Sequence, residues 1–193
     1  MPKDGTATRR RLLDAATAEF SRYGIAGARV DRIAKAAKAN KQAIYLYFGD
    51  KERLFAAVLQ SRLDDLASAI SIDPQRVPDY IGELFDYVIE HPDLVRLLVW
   101  EAMEHDADAE LAGDESRRDH YAGKVRLLEA GQRASAIDNS LNARRLLVTL
   151  IGLVHWYVIA PQVNRMILGD DAKDHAAERE FLVEAARRLV NRP

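Results

Sequence analysis

Apolar residues recur along this chain at three- and four-residue intervals, the period of an amphipathic helix. Alternating β-branched runs and glycine-bracketed strand pairs are absent, so the expected fold is all-α. The pattern predicts a first helix from a cap at Thr8 to about Tyr23, with Leu13, Ala16 and Phe20 on one face and Gly24 as its stop. A short helix follows from about Val30 to Ala37, turning Val30, Ile33, Ala34 and Ala37 inward. After a tight break, Lys41 to Phe48 forms another, with Ile44 and Phe48 four apart. Asp50 is placed as the N-cap of a longer helix from Lys51 to about Ile70.

Pro74 and Pro78 mark a loop, because proline has no N–H to donate within a helix. Further helices are expected at about 79–90, 93–105 and 115–131, with the acidic stretch 106–114 as a connection. Asp138, Asn139 and Ser140 crowd the start of a long apolar helix over about 141–167. Pro161 should kink or break that helix by clashing with the carbonyl of Tyr157, Gly169 should end it, and a last amphipathic helix should cover about 174–191. Leu146, Leu147, Leu150, Ile151, Leu153, Val154 and Val158 cover more of its circumference than one core-facing stripe needs. With Phe181, Leu182, Ala185, Leu189 and Val190 on the last helix, that surplus predicts a homodimer joined through the last two helices.

Composition narrows the function. The 193 residues are 48% hydrophobic and 30% charged, enough for a packed core. There is no cysteine, which removes disulfides, thiol catalysis and thiolate zinc sites. No uncharged apolar window approaches membrane-spanning length and no signal-peptide pattern opens the chain, so a soluble, cytoplasmic protein without membrane contact is expected. The net charge of −2 hides a division: residues 1–54 hold 12 Lys and Arg against 6 Asp and Glu, whereas 55–193 hold 16 against 24. A basic first quarter on an acidic remainder points to an N-terminal segment that meets a polyanion.

Two short helices separated by a tight turn form a helix-turn-helix pattern, in which a small core holds the second helix proud of the surface. With Ile44 and Phe48 committed inward, Lys41, Gln42, Ala43, Tyr45, Leu46 and Tyr47 face outward. Lys41 and Gln42 lie on the first turn, where a recognition helix meets base edges, and the Ala43 methyl suits thymine. Tyr45 and Tyr47 offer hydroxyls to phosphates, and Lys51 brings charge to a helix N-terminus.

Residues 8–55, and most specifically KQAIYLYFGDKERLF, resemble the DNA-binding domain of the tetracycline-repressor (TetR) family of transcriptional regulators. The resemblance places Lys41, Gln42 and Ala43 on base-reading positions, Tyr45, Tyr47 and Lys51 on phosphate-binding positions, and Arg29 where the family usually starts a helix with Ser or Thr. Lys38 stands where the family usually has glycine, and Asn40 where serine is common. The resemblance implies a three-helix DNA-binding domain over 1–54 and a helical ligand-binding and dimerisation domain over 55–193. It further implies a homodimeric repressor that binds a palindromic operator in double-stranded DNA and is released by a small-molecule effector.

Trp100, Met103, Tyr121, His155, Trp156 and Tyr157 are the candidate effector contacts, favouring a hydrophobic or aromatic molecule. Glu101, Glu104, His105, Asp106 and Asp108 read as a solvated acidic helix end, so no metal or cofactor is expected. No nucleophile elbow or phosphate-cradling glycine loop appears, which leaves enzymatic catalysis without a motif. The other class still open is a helical ligand-binding or catalytic protein with a vestigial DNA domain. Salt-dependent duplex binding separates the two.

Overall fold

The computed structural model describes residues 3–111 and 113–191. Its elements are α1 Lys3–Gly27, α2 Val30–Ala36, α3 Lys41–Phe48, α4 Lys51–Ala69, α5 Val77–Glu90, α6 Pro92–Glu104, α7 Asp114–Arg133, α8 Ala143–Ile159, α9 Pro161–Leu168, a 3-10 turn Gly169–Lys173 and α10 His175–Val190. No strand occurs among the described residues. The chain forms an all-α fold of two compact units. The first contains Met1–Asp65 and Asp93–Glu115, and the second contains Leu66–Pro92 and Ser116–Pro193. The α6 segment therefore returns to the unit built by the first helices rather than staying with α5.

The first unit packs around Leu12, Ala16, Phe20, Ile33, Ile44, Leu54 and Phe55, all buried, with Phe20 and Phe55 edge to face at 5.2 Å. Gly24 breaks α1 in the left-handed region at φ 68°. Only glycine fits there, since a Cβ would lie 2.6 Å from Trp100 Cε3. The helix starts upstream of the Thr8 cap, at Lys3, and Thr8 Oγ1 instead accepts a hydrogen bond from Arg11 at 3.0 Å. The added turn lies against α3: a Cβ on Gly5 would stand 3.2 Å from Tyr47 Oη.

In the second unit α5 packs on α8 and α10 through Tyr80, Ile81, Leu84, Phe85, Val88, Leu150, Val154 and Leu182, all buried. The expected break at Pro161 occurs, and the two arms are bent by 87°. Pro161 has no N–H for the Tyr157 carbonyl, and the buried Asn164 side chain supplies one in its place at 3.1 Å. The cap of α8 is Asn142, whose Oδ1 accepts from Arg144 and Arg145 N–H, and not the 138–140 cluster. Ser140 and Asp138 bond to each other instead. Ala112, within the connection expected over 106–114, lies outside the described residues. Among those described, no single helix is long and apolar enough to cross a membrane.

Candidate nucleic-acid interface

The α2–turn–α3 segment is built on α1 from below. Ile33 and Ala34 of α2 and Ile44 and Phe48 of α3 are buried, while Val30 is only half-buried. Lys38 holds the turn between them at φ 50°. A side chain in that region costs about 1–2 kcal/mol, partly offset by glycine's greater unfolded freedom. Lys38→Gly should therefore raise stability by about 0.5–1 kcal/mol, readable as a higher urea midpoint with unchanged m-value. A lower midpoint would show that the Lys38 side chain stabilises the turn by some other contact.

The hydroxyl missing from the start of α2 is replaced from another helix. Glu19, buried on α1, accepts from the Arg29 N–H at 2.9 Å and from Arg32 Nε at 2.7 Å. Burial pushes the Glu19 carboxyl up, but the Arg32 bond, the Arg29 N–H and the charges of Arg32 and Arg22 together bring it below its ordinary value. Arg29 is thus anchored by its backbone with its side chain exposed. Asn40 Oδ1 caps α3 by accepting from Gln42 N–H at 3.1 Å, and Asp50 Oδ1 caps α4 by accepting from Arg53 N–H at 2.7 Å.

On α3 Lys41, Gln42, Tyr45 and Leu46 are exposed, with Ala43 and Tyr47 half-buried. Leu46 is 80% exposed, a large apolar side chain left on the outer face of α3. Lys51 is half-buried at the first turn of α4. Lys41 Nζ lies 2.9 Å from Asp31 Oδ1 of α2, and that bond and charge push its pKa up. Periodicity contains no signal for this pair or for Glu19, because each joins residues on different helices.

The C-terminal end of α1 is held by α6. The Glu104 carboxylate accepts from Ile25 N–H at 2.8 Å and Ala26 N–H at 2.9 Å, and the Trp100 indole donates to Ser21 O at 3.3 Å. Trp100 and Met103 therefore belong to the first unit, with Met103 exposed. Tyr121, His155, Trp156 and Tyr157 belong to the second. Tyr157 donates its hydroxyl to Ala172 O at 3.0 Å and meets Phe85 edge to face. Trp156 is 53% exposed. Among the described residues, no three His, Asp or Glu side chains gather as metal ligands.

One apolar stripe runs along α8, through Leu141 just before it, Val148, Gly152, Trp156 and Ile159. Their spacing puts them on one face, and Val148 is 72% exposed. On α10, Phe181 is 66% exposed. This corrects the assignment of the apolar surplus: Leu146, Leu147, Leu150 and Val154 are buried in their own unit, and Ile151, Leu153 and Val158 are half-buried.

Residues 12–58 match the family model of bacterial regulatory proteins of the tetR family, and residues 76–188 match that of the tetracyclin repressor-like C-terminal domain. The chain is 44% identical over 190 residues to the HTH-type transcriptional repressor SCO4008 of Streptomyces coelicolor, covering 98% of each. It is 26% identical to the HTH-type transcriptional repressor NicS of Pseudomonas putida, covering 91% of this chain and 87% of that one. The crystal structure of the transcriptional regulator SCO4942 from Streptomyces coelicolor superposes with a TM-score of 0.83 at 34% identity, over 96% of this chain and 99% of the other.

Proposed function

Because the chain belongs to the TetR family of transcriptional regulators, we propose that it is a DNA-binding repressor, acting as a homodimer on a palindromic operator and released by a small hydrophobic or aromatic effector. One observation carries the reading: the first turn of α3 stands exposed above a core that commits Ile44 and Phe48 inward, in a segment rich in Lys and Arg. In this reading Gln42 pairs with adenine and Lys41 with guanine acceptors, and Ala43 meets a thymine methyl. Tyr45, Tyr47, Lys51 and Arg29 take phosphates. Lys41 leaves Asp31 to do so, so the pair sets a threshold for binding.

The apolar face of α8 with Phe181 of α10 supports an isologous interface between two copies. A dimer reads two half-sites when its recognition helices lie about 34–36 Å apart, or a multiple of that. The lever for changing this distance is α4, a single helix whose Lys51 end lies beside the recognition helix and whose last residues, 66–69, belong to the second unit. An effector shifts the equilibrium only by its differential affinity for the two spacings, typically about 1–3 kcal/mol.

The test begins with duplexes selected from a random pool by the purified protein. Affinity should fall steeply with salt, by about 0.9 log units per phosphate contact per log unit of salt. Lys51→Ala should weaken all duplexes and flatten the slope by about one contact. Gln42→Ala should cost about 1–3 kcal/mol on the selected site and relax preference at one base pair. Wild-type binding by both variants would mean that α3 does not read DNA in this way.

A further inference from the structure

The second unit contains a buried cation that neither DNA reading nor the apolar face employs. Lys124 of α7 is 8% exposed. Its Nζ donates to Tyr80 Oη of α5 at 3.0 Å and lies 5.3 Å from the centre of that ring. Burial pushes the ammonium's pKa down. One neutral donor adjoins it, and a second lies within reach of its charge. The Tyr80 phenol is held protonated by burial and by the nearby Tyr121. The His155 imidazole of α8 is pushed down to about 4, first by burial and then by the charge of Lys124.

An apolar side chain would fill the same space without the penalty of desolvating an ammonium. A lysine retained there, with a phenol and an imidazole from two other helices, is chemically matched to something that arrives with a negative charge. It accounts for one negative charge, since Lys124 is the single cation of the group; a phosphate dianion would leave a charge unmatched. We infer that Lys124, Tyr80 and His155 form the anion-holding end of the effector site, which takes a monocarboxylate carried on a hydrophobic or aromatic body. The ammonium pairs with the carboxylate, Tyr80 accepts from Lys124 while donating its own O–H to the ligand, and the neutral imidazole offers a third donor.

This inference deepens the ligand-responsive reading and rests on it. Its test uses the full chain without DNA and three acids, benzoate, phenylacetate and octanoate, each against its primary amide, read by calorimetry. At least one acid should bind at least about tenfold tighter than its amide. Lys124→Met should abolish that preference and Tyr80→Phe should reduce it, with far-ultraviolet circular dichroism verifying that both fold. Equal binding of acid and amide, no binding by any acid at millimolar concentration, or a preference that survives in both variants overturns the inference. Duplex binding is measured separately. A chain that binds its selected duplex but no acid loses this site alone, whereas an acid that binds without releasing the duplex leaves the site standing and removes the effector reading.

Discussion

In the proposed homodimer, replacing Val148 with Asp should leave a monomer at micromolar concentration and weaken binding to the proposed palindromic duplex by about a hundredfold or more. Val148 is the most exposed side chain of the α8 stripe. A carboxylate there must be desolvated on association, in two copies at once, without a partner for either. Losing the dimer turns one bivalent binding event into two independent half-site events, and effective concentrations contribute about 10²–10⁴ to such an affinity. Each subunit should still fold, because the substituted position makes no part of its own core. Sedimentation equilibrium and duplex titration read the two effects together. A variant that remains dimeric would move the interface off this face. A variant that becomes monomeric yet binds the palindrome as before would separate dimerisation from operator recognition.

The second large effect is expected at Glu19. Glu19→Ala should destabilise the first unit by about 2 kcal/mol, the range for charge-assisted hydrogen bonds together with a lost helix cap. It removes the acceptor for the Arg29 N–H, leaving the start of α2 uncapped, and takes away the partner of Arg32. Glu19→Gln, which keeps an acceptor but not the charge, should lose about half as much. The effect also depends on pH. The folded carboxyl titrates below its ordinary value of 4.5, so its contribution is complete above that value and is lost as pH falls through the lowered folded one. The stability gap between wild type and Glu19→Gln should therefore be constant at neutral pH and close under acid. Urea unfolding at a series of pH values measures it. A gap independent of pH would mean that the charge of Glu19 stabilises nothing.

Helix identity was written in periodicity and in a few end residues. The bounds of α3, the Gly24 stop, the Asn40 and Asp50 caps and the break at Pro161 all follow from local chemistry, because each concerns groups within a turn of one another. The positive φ of Lys38 in the turn was pointed to by the resemblance, since the family usually has glycine at that position. Periodicity also identified the outward residues of α3, once Ile44 and Phe48 had fixed which face was inside.

What depended on the tertiary structure were the pairings between elements distant in sequence. Glu19 caps α2 from ten residues upstream of Arg29, Glu104 takes the N–H groups of Ile25 and Ala26 from 79 and 78 residues away, and Lys124 reaches Tyr80 across 44. No local pattern announces such partners, because a carboxylate or an ammonium looks the same in sequence whether it meets water or a buried N–H. The apolar surplus of α8 shows the same division. Composition revealed that the helix carried more apolar surface than one core needs, but a circumference filled with Leu, Ile and Val has no sequence mark for its inner side. Packing against α5 and α10 chose Leu146, Leu147, Leu150 and Val154 for the interior, and so left Val148, Trp156 and Ile159 outside. Local hydrogen-bond and backbone chemistry is short-ranged and therefore legible along the chain, whereas which of several equivalent faces is buried is decided only by what packs against it.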